Sequence, residues 1–119
     1  MDRADLGVLV LDIDALGCLA AGAAVVTSPS VYQLVDSSGR SRPFVAAALL
    51  ASSSLLALAA NRPTRAALGR SAAVNALWVL ACAAAFRKQQ TNEGRVLVVG
   101  TAALDAVMGG LQWYLRPKP

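Results

Sequence analysis

Residues 6–26 read LGVLVLDIDALGCLAAGAAVV. A helix of about 20 apolar residues crosses a hydrocarbon core of ~30 Å, and this run supplies that length. Two carboxylates interrupt it, Asp12 and Asp14. At that depth each costs roughly 2.5–3.5 kcal/mol on insertion scales, so each needs a protein partner or a route to water. The two lie about 200° apart around a helix. They cannot face the same neighbour, and the helix is expected to be contacted on two sides. Asp14, Cys18 and Ala21 recur at helical spacing as a face of small and polar residues. The pairs Gly17/Ala21 and Cys18/Gly22 allow close helix approach.

Composition agrees with a membrane chain. The 119 residues are 56% hydrophobic and 15% charged, with mean hydropathy +0.53; soluble domains carry ~45–50% apolar and ~25% charged residues. A soluble helix would also keep a polar stripe, which the apolar runs here lack. Histidine is absent, which removes the commonest zinc ligand, a frequent haem ligand and the usual general base. Cys18 and Cys82 fall inside apolar runs, where cysteine behaves as a small hydrophobe. The net charge of +4 comes from Arg and Lys flanking the apolar runs. It reads as membrane-surface anchoring; no basic patch with interleaved aromatics points to nucleic acid. Met1-Asp2-Arg3-Ala4-Asp5 is not the basic start of a secretory signal, so the first span is expected to remain in the protein.

The spacing predicts four spans, at roughly residues 5–27, 43–61, 65–87 and 95–115, in a single transmembrane domain over 1–119. The expected fold is an all-α, antiparallel, integral membrane four-helix bundle. Between the first two spans, Ser28 and Pro29 predict the start of a short helix lying on the membrane surface. The Asn61–Arg65 turn is short enough to make its two spans an antiparallel hairpin. Tyr32, Trp113, Tyr114 and Arg116 are the expected interfacial anchors.

Counting depth at ~1.5 Å per residue assembles an intramembrane polar layer of Asp12, Asp14, Arg70, Asn75 and Asp105, with Ser52–Ser54 nearby. It predicts that Arg70 pairs with Asp12 or Asp14. Asp105, with Thr101 and Gly109 on its face, is expected to take hydrogen bonds from Asn75 and Ser53. Such bonds hold bundles together, while intramembrane carboxylates also mark proton relays. The basic residues divide almost evenly between the two sides, with a slight lean toward both termini inside.

Arg62-Pro63-Thr64-Arg65, then Asn75-Ala76-Leu77-Trp78-Val79-Leu80-Ala81, then Leu111-Gln112 and Leu115-Arg116, resemble a loose group of small four-helix bacterial integral membrane proteins. That resemblance implies the four-span fold and carries no activity and no site residues.

No catalytic, cofactor-binding or metal-ligating set is expected: there is no nucleophile elbow, no Cys-x-x-Cys and no carboxylate motif with metal spacing. The expected role is a non-catalytic accessory or structural subunit of a larger membrane complex, with a respiratory-type energy-transducing complex as one class. The alternatives are a stand-alone small transporter or proton-conducting bundle, and a lipid- or quinone-binding membrane protein. Membrane lipids and other membrane subunits are the expected partners. The bacterial cytoplasmic membrane and the mitochondrial inner membrane are the expected locations.

Overall fold

The computed structural model describes residues 1–119. It contains five helices and no strand: α1 (Arg3–Thr27), α2 (Pro29–Tyr32), α3 (Arg42–Asn61), α4 (Arg65–Phe86) and α5 (Asn92–Tyr114). All but α2 are long and apolar enough to span a membrane. The molecule measures 45 × 24 × 21 Å, and its long axis matches a bilayer with its headgroups, ~40–45 Å. Only 21 of the 119 residues are buried, while Leu16, Leu58, Val96 and Leu104 project from the outer surface. An apolar exterior around a thin interior is what lipid solvates, so the chain is an integral membrane bundle.

Three helices begin at a capping side chain, while Ser28 before α2 and Ser41 before α3 make no such bond. The Asp2 side chain accepts the Asp5 N–H, Thr64 the Ala67 N–H and Thr91 the Gly94 N–H, satisfying donors that a helix start leaves free. Thr91 starts α5 three residues earlier than the expected 95, so Asn92–Gly94 are helical and not loop. Helix ends are closed by arginines. Arg42 donates to the Val25 and Val26 carbonyls at 2.8 and 2.6 Å, and Arg3 donates to the Tyr114 carbonyl. Cations suit the negative end of a helix. The Arg3 contact also places the N-terminus beside the end of α5, on the side of the 62–64 turn.

The four spans form two tight pairs, α1 with α3 and α4 with α5, which meet through lighter contacts of α1 with α5 and α3 with α4. Small residues decide this pairing. A Cβ at Gly22 would come within 3.0 Å of Leu50, and one at Gly109 within 3.0 Å of the Asn75 Cβ. Consecutive α3 and α4 are antiparallel but touch little. The Trp78 indole stands between them, donating to Ser52 Oγ at 3.0 Å. Leu11, Ala15, Cys18, Leu56, Ala59, Ala67 and Leu68 form the apolar core.

The connection between α1 and α3 is ordered by side chains. Tyr32 is 7% exposed, and its hydroxyl meets Ser41 Oγ at 2.5 Å. A buried phenol needs such a partner, and Ser41 supplies it. The Asp36 carboxylate accepts from the Ser38 and Ser41 hydroxyls and backbone N–H groups. These bonds hold its pKa below the usual carboxylate range, the Ser41 hydroxyl contributing most. On the same side, Gln89 Nε2 donates to the Val35 and Ala85 carbonyls, tying this loop to the end of α4.

Gly94 sits under that loop, and a Cβ there would lie 2.6 Å from the Leu34 carbonyl oxygen and against Gln89 Oε1. Gly94→Ala is expected to destabilise the protein by ~1–3 kcal/mol, the range for overpacking a close contact. Gly100→Ala, where a Cβ meets nothing within 4 Å, should be neutral or mildly stabilising. Thermal melting in detergent micelles checks the contrast.

Candidate functional site

Asp14 lies eleven residues after Arg3 on α1 and is 6% exposed. An ionised or neutral carboxyl at this depth needs partners from other helices, and it has them. Asn75 Nδ2 on α4 donates to Asp14 Oδ2 at 2.7 Å, and Gln112 Nε2 on α5 donates to the same oxygen at 2.5 Å. Asn75 Nδ2 also reaches Gln112 Oε1 at 2.9 Å and the Ser71 carbonyl at 3.3 Å. Cys18 Sγ, one turn along α1, is 3.9 Å from Asp14 Oδ1. Asn75 is 2% and Gln112 0% exposed, so the three side chains form a closed network joining α1, α4 and α5. No fully buried side-chain polar atom in the molecule lacks a partner.

The Ser52–Ser54 run divides its work. Ser53 Oγ donates to the Ala15 carbonyl across the α1–α3 contact at 2.8 Å. Ser52 and Ser54 donate back to the Ala48 and Leu50 carbonyls of their own helix.

The remaining residues of the expected polar layer do not join it. Arg70 is exposed on α4 and makes neither a hydrogen bond nor an ion pair. The predicted pair with Asp12 or Asp14 is therefore corrected: Asp14 is taken by Asn75 and Gln112, and Asp12 points outward. Asp12 is exposed on α1, about 200° from Asp14, and has no partner in this chain. Ala15 faces α3 through its carbonyl, and Asp12 lies beyond that contact on the outer flank. Asp105 is half-buried between α4 and α5 and accepts no hydrogen bond. Its expected donors are engaged elsewhere, Asn75 with Asp14 and Gln112, Ser53 with Ala15. Depth counting failed here because α5 is staggered against α4. Gly109, and not Asp105, packs on Asn75, which lifts Gln112 to the level of Asp14.

Gln112 is the residue that sequence reasoning missed. Its signal was present: Asp105, Gly109 and Gln112 recur at i, i+4, i+7 on one face of α5. Among the expected anchors, Trp113 and Tyr114 are exposed at the end of α5. The Arg116 guanidinium lies 3.2 Å from the Trp113 ring centroid and that of Arg3 4.6 Å from Tyr114.

No group of three or more His, Cys, Asp or Glu side chains gathers at metal-ligating distance. Chemically, the Asp14–Asn75–Gln112 network holds helices, because its three side-chain bonds run between α1, α4 and α5. No protein-family model, curated protein or solved structure matches the chain. The motif likeness to small four-helix bacterial membrane proteins draws no support from these comparisons.

Asn75→Leu and Gln112→Leu are each expected to lower stability by ~1–3 kcal/mol, the cost of stranding a buried polar partner. Their effects should be non-additive with Asp14→Leu, since the three share one network. Arg70→Ala, like Arg62→Ala, is expected to fall within ~0.5 kcal/mol of wild type. Detergent melting of the single and double variants measures all of these, and an Arg70→Ala loss as large as that of Asn75→Leu contradicts the assignment.

Proposed function

We propose that this protein is a non-catalytic structural subunit of a larger membrane complex. Asp12 carries the reading. It stands on the outer surface of α1, about 14 Å along the helix from Arg3, and is exposed with no partner in the chain. A lipid-facing carboxylate at such depth is costly. A hydrogen-bond donor or cation from an adjacent membrane helix removes that cost. The inward-turned Asp14 network is consistent with a scaffold, since its side-chain bonds tie α1, α4 and α5 of the same chain together. Respiratory-type energy-transducing complexes, in a bacterial cytoplasmic or mitochondrial inner membrane, are the first assemblies to test, because they also accommodate the second reading.

That second reading is proton movement, favoured by Asp105. Its carboxyl is half-buried near the middle of α5 without a hydrogen-bond partner, unlike Asp14. Proton flux into liposomes that is present in wild type and lost in Asp105→Asn supports it.

A photoreactive amino acid placed at position 12 in the native membrane tests the first reading. It is expected to give an adduct with an integral membrane protein at one defined site. The same group at Leu104, exposed on the outer surface of α5, should label lipid. Lipid adducts alone at both positions would overturn the subunit assignment.

A further inference from the structure

An open groove of about 600 Å³ runs along the outside of the α4–α5 pair. Its walls include Gly69, Ala73, Ala76 and Leu80 from α4 and Gly110 and Trp113 from α5, with Asp105 toward its deep end. From Gly69 to Leu80 the groove extends about 16 Å at the helical rise. That is close to half of a ~30 Å hydrocarbon core, the depth of one lipid leaflet.

The shallow end carries positive charge. Arg116 lies against Gly69, 3.9 Å from where a Cβ would stand, and stacks on Trp113. Its Nε donates to the Trp113 carbonyl at 2.9 Å. Arg65 Nη1 donates to the Pro117 carbonyl at 2.9 Å, which brings a second guanidinium to the same end. Arg116 is held below its ordinary pKa by desolvation and by the neighbouring Arg65 charge. Neither arginine bonds to a carboxylate, so two like charges share the mouth of an apolar groove without a counter-ion from the chain. Guanidinium groups match phosphate oxygens in charge and geometry.

We propose that the α4–α5 groove is a binding site for one anionic phospholipid, with its phosphate on Arg65 and Arg116 and an acyl chain along the glycine- and alanine-lined groove. The length of the groove, its continuity with the arginines and the unmet positive charge all fit this occupant. A free phosphate would use the arginines alone, and a neutral lipid the groove alone.

The test uses the whole protein in nanodiscs holding equal amounts of phosphatidylglycerol and phosphatidylcholine. Retained lipid is then read by native mass spectrometry after release into detergent. Wild type is expected to keep phosphatidylglycerol over phosphatidylcholine by about tenfold, a difference that charge-assisted contacts readily supply. Arg65→Gln with Arg116→Gln should abolish the preference. Gly110→Leu should lower retention of both lipids without lowering the melting temperature, because a Cβ at Gly110 meets nothing of this chain within 4 Å. Ala73→Leu, exposed on the facing helix, should read the same loss and so guards against a folding defect in one variant. Inorganic phosphate should not reproduce the thermal shift given by phosphatidylglycerol. Four results overturn the site: equal retention of the two lipids by wild type, an unchanged preference in the double arginine variant, a phosphate shift equal to that of the lipid, or a lipid-free pair of chains that Gly110→Leu breaks.

Discussion

A carboxyl group enclosed by apolar helices has to be met by donors from those same helices, because lipid provides none. Asp14 imposes that requirement here, and Asn75 and Gln112 meet it on one oxygen. The bonds are directional and short, so they set the rotation of three helices as well as their relative depth. A one-residue slip of α5 would turn Gln112 by about 100° and leave Asp14 with a single amide donor. Apolar packing between helices in lipid has no comparable selectivity, since tails solvate leucine as well as another leucine does.

Small residues make the network reachable. Gly109 brings α5 onto the Asn75 Cβ, and Gly22 admits Leu50 of α3 onto α1. Where a large side chain intervenes, as Trp78 does between α3 and α4, the helices stand further apart and share one side-chain hydrogen bond. The bundle is thus two close pairs joined by a polar core, and the Ser53 bond to the Ala15 carbonyl reinforces one of the pairs.

Polar residues at membrane depth fall into two populations. Asp14, Asn75, Gln112 and Ser71 are enclosed and satisfied. Asp12, Arg70 and Asp105 are wholly or partly open and make no hydrogen bond within the chain. Arg70 has a long aliphatic stem and sits one turn inside α4, so its charge can reach the headgroup level. Asp12 is short and lies deeper. That difference in reach is why Asp12, and not Arg70, points to a neighbour.

The spans were legible in the sequence because length, hydropathy and the proline and polar breaks are local properties. Asp2, Thr64 and Thr91 are equally local, and the caps they form start helices within three residues of the reading from pattern alone. The importance of Asp14 and Asn75 was legible too, since the cost of a buried polar group does not depend on which helix satisfies it. The choice of partner was not. Asp105 and Gln112 share one face of α5, and which of them meets Asp14 depends on the stagger of α5 against α4, set where Gly109 packs on Asn75. The outward turn of Asp12 and the isolation of Arg70 follow from the same cause. Sequence determined the four membrane helices and the need for a polar contact among them. Only tertiary structure decided the pairing of α1 with α3 and α4 with α5, the identity of the third network member and the carboxylate left facing outward, because these depend on helix rotation and stagger, which side chains far apart in the chain set together.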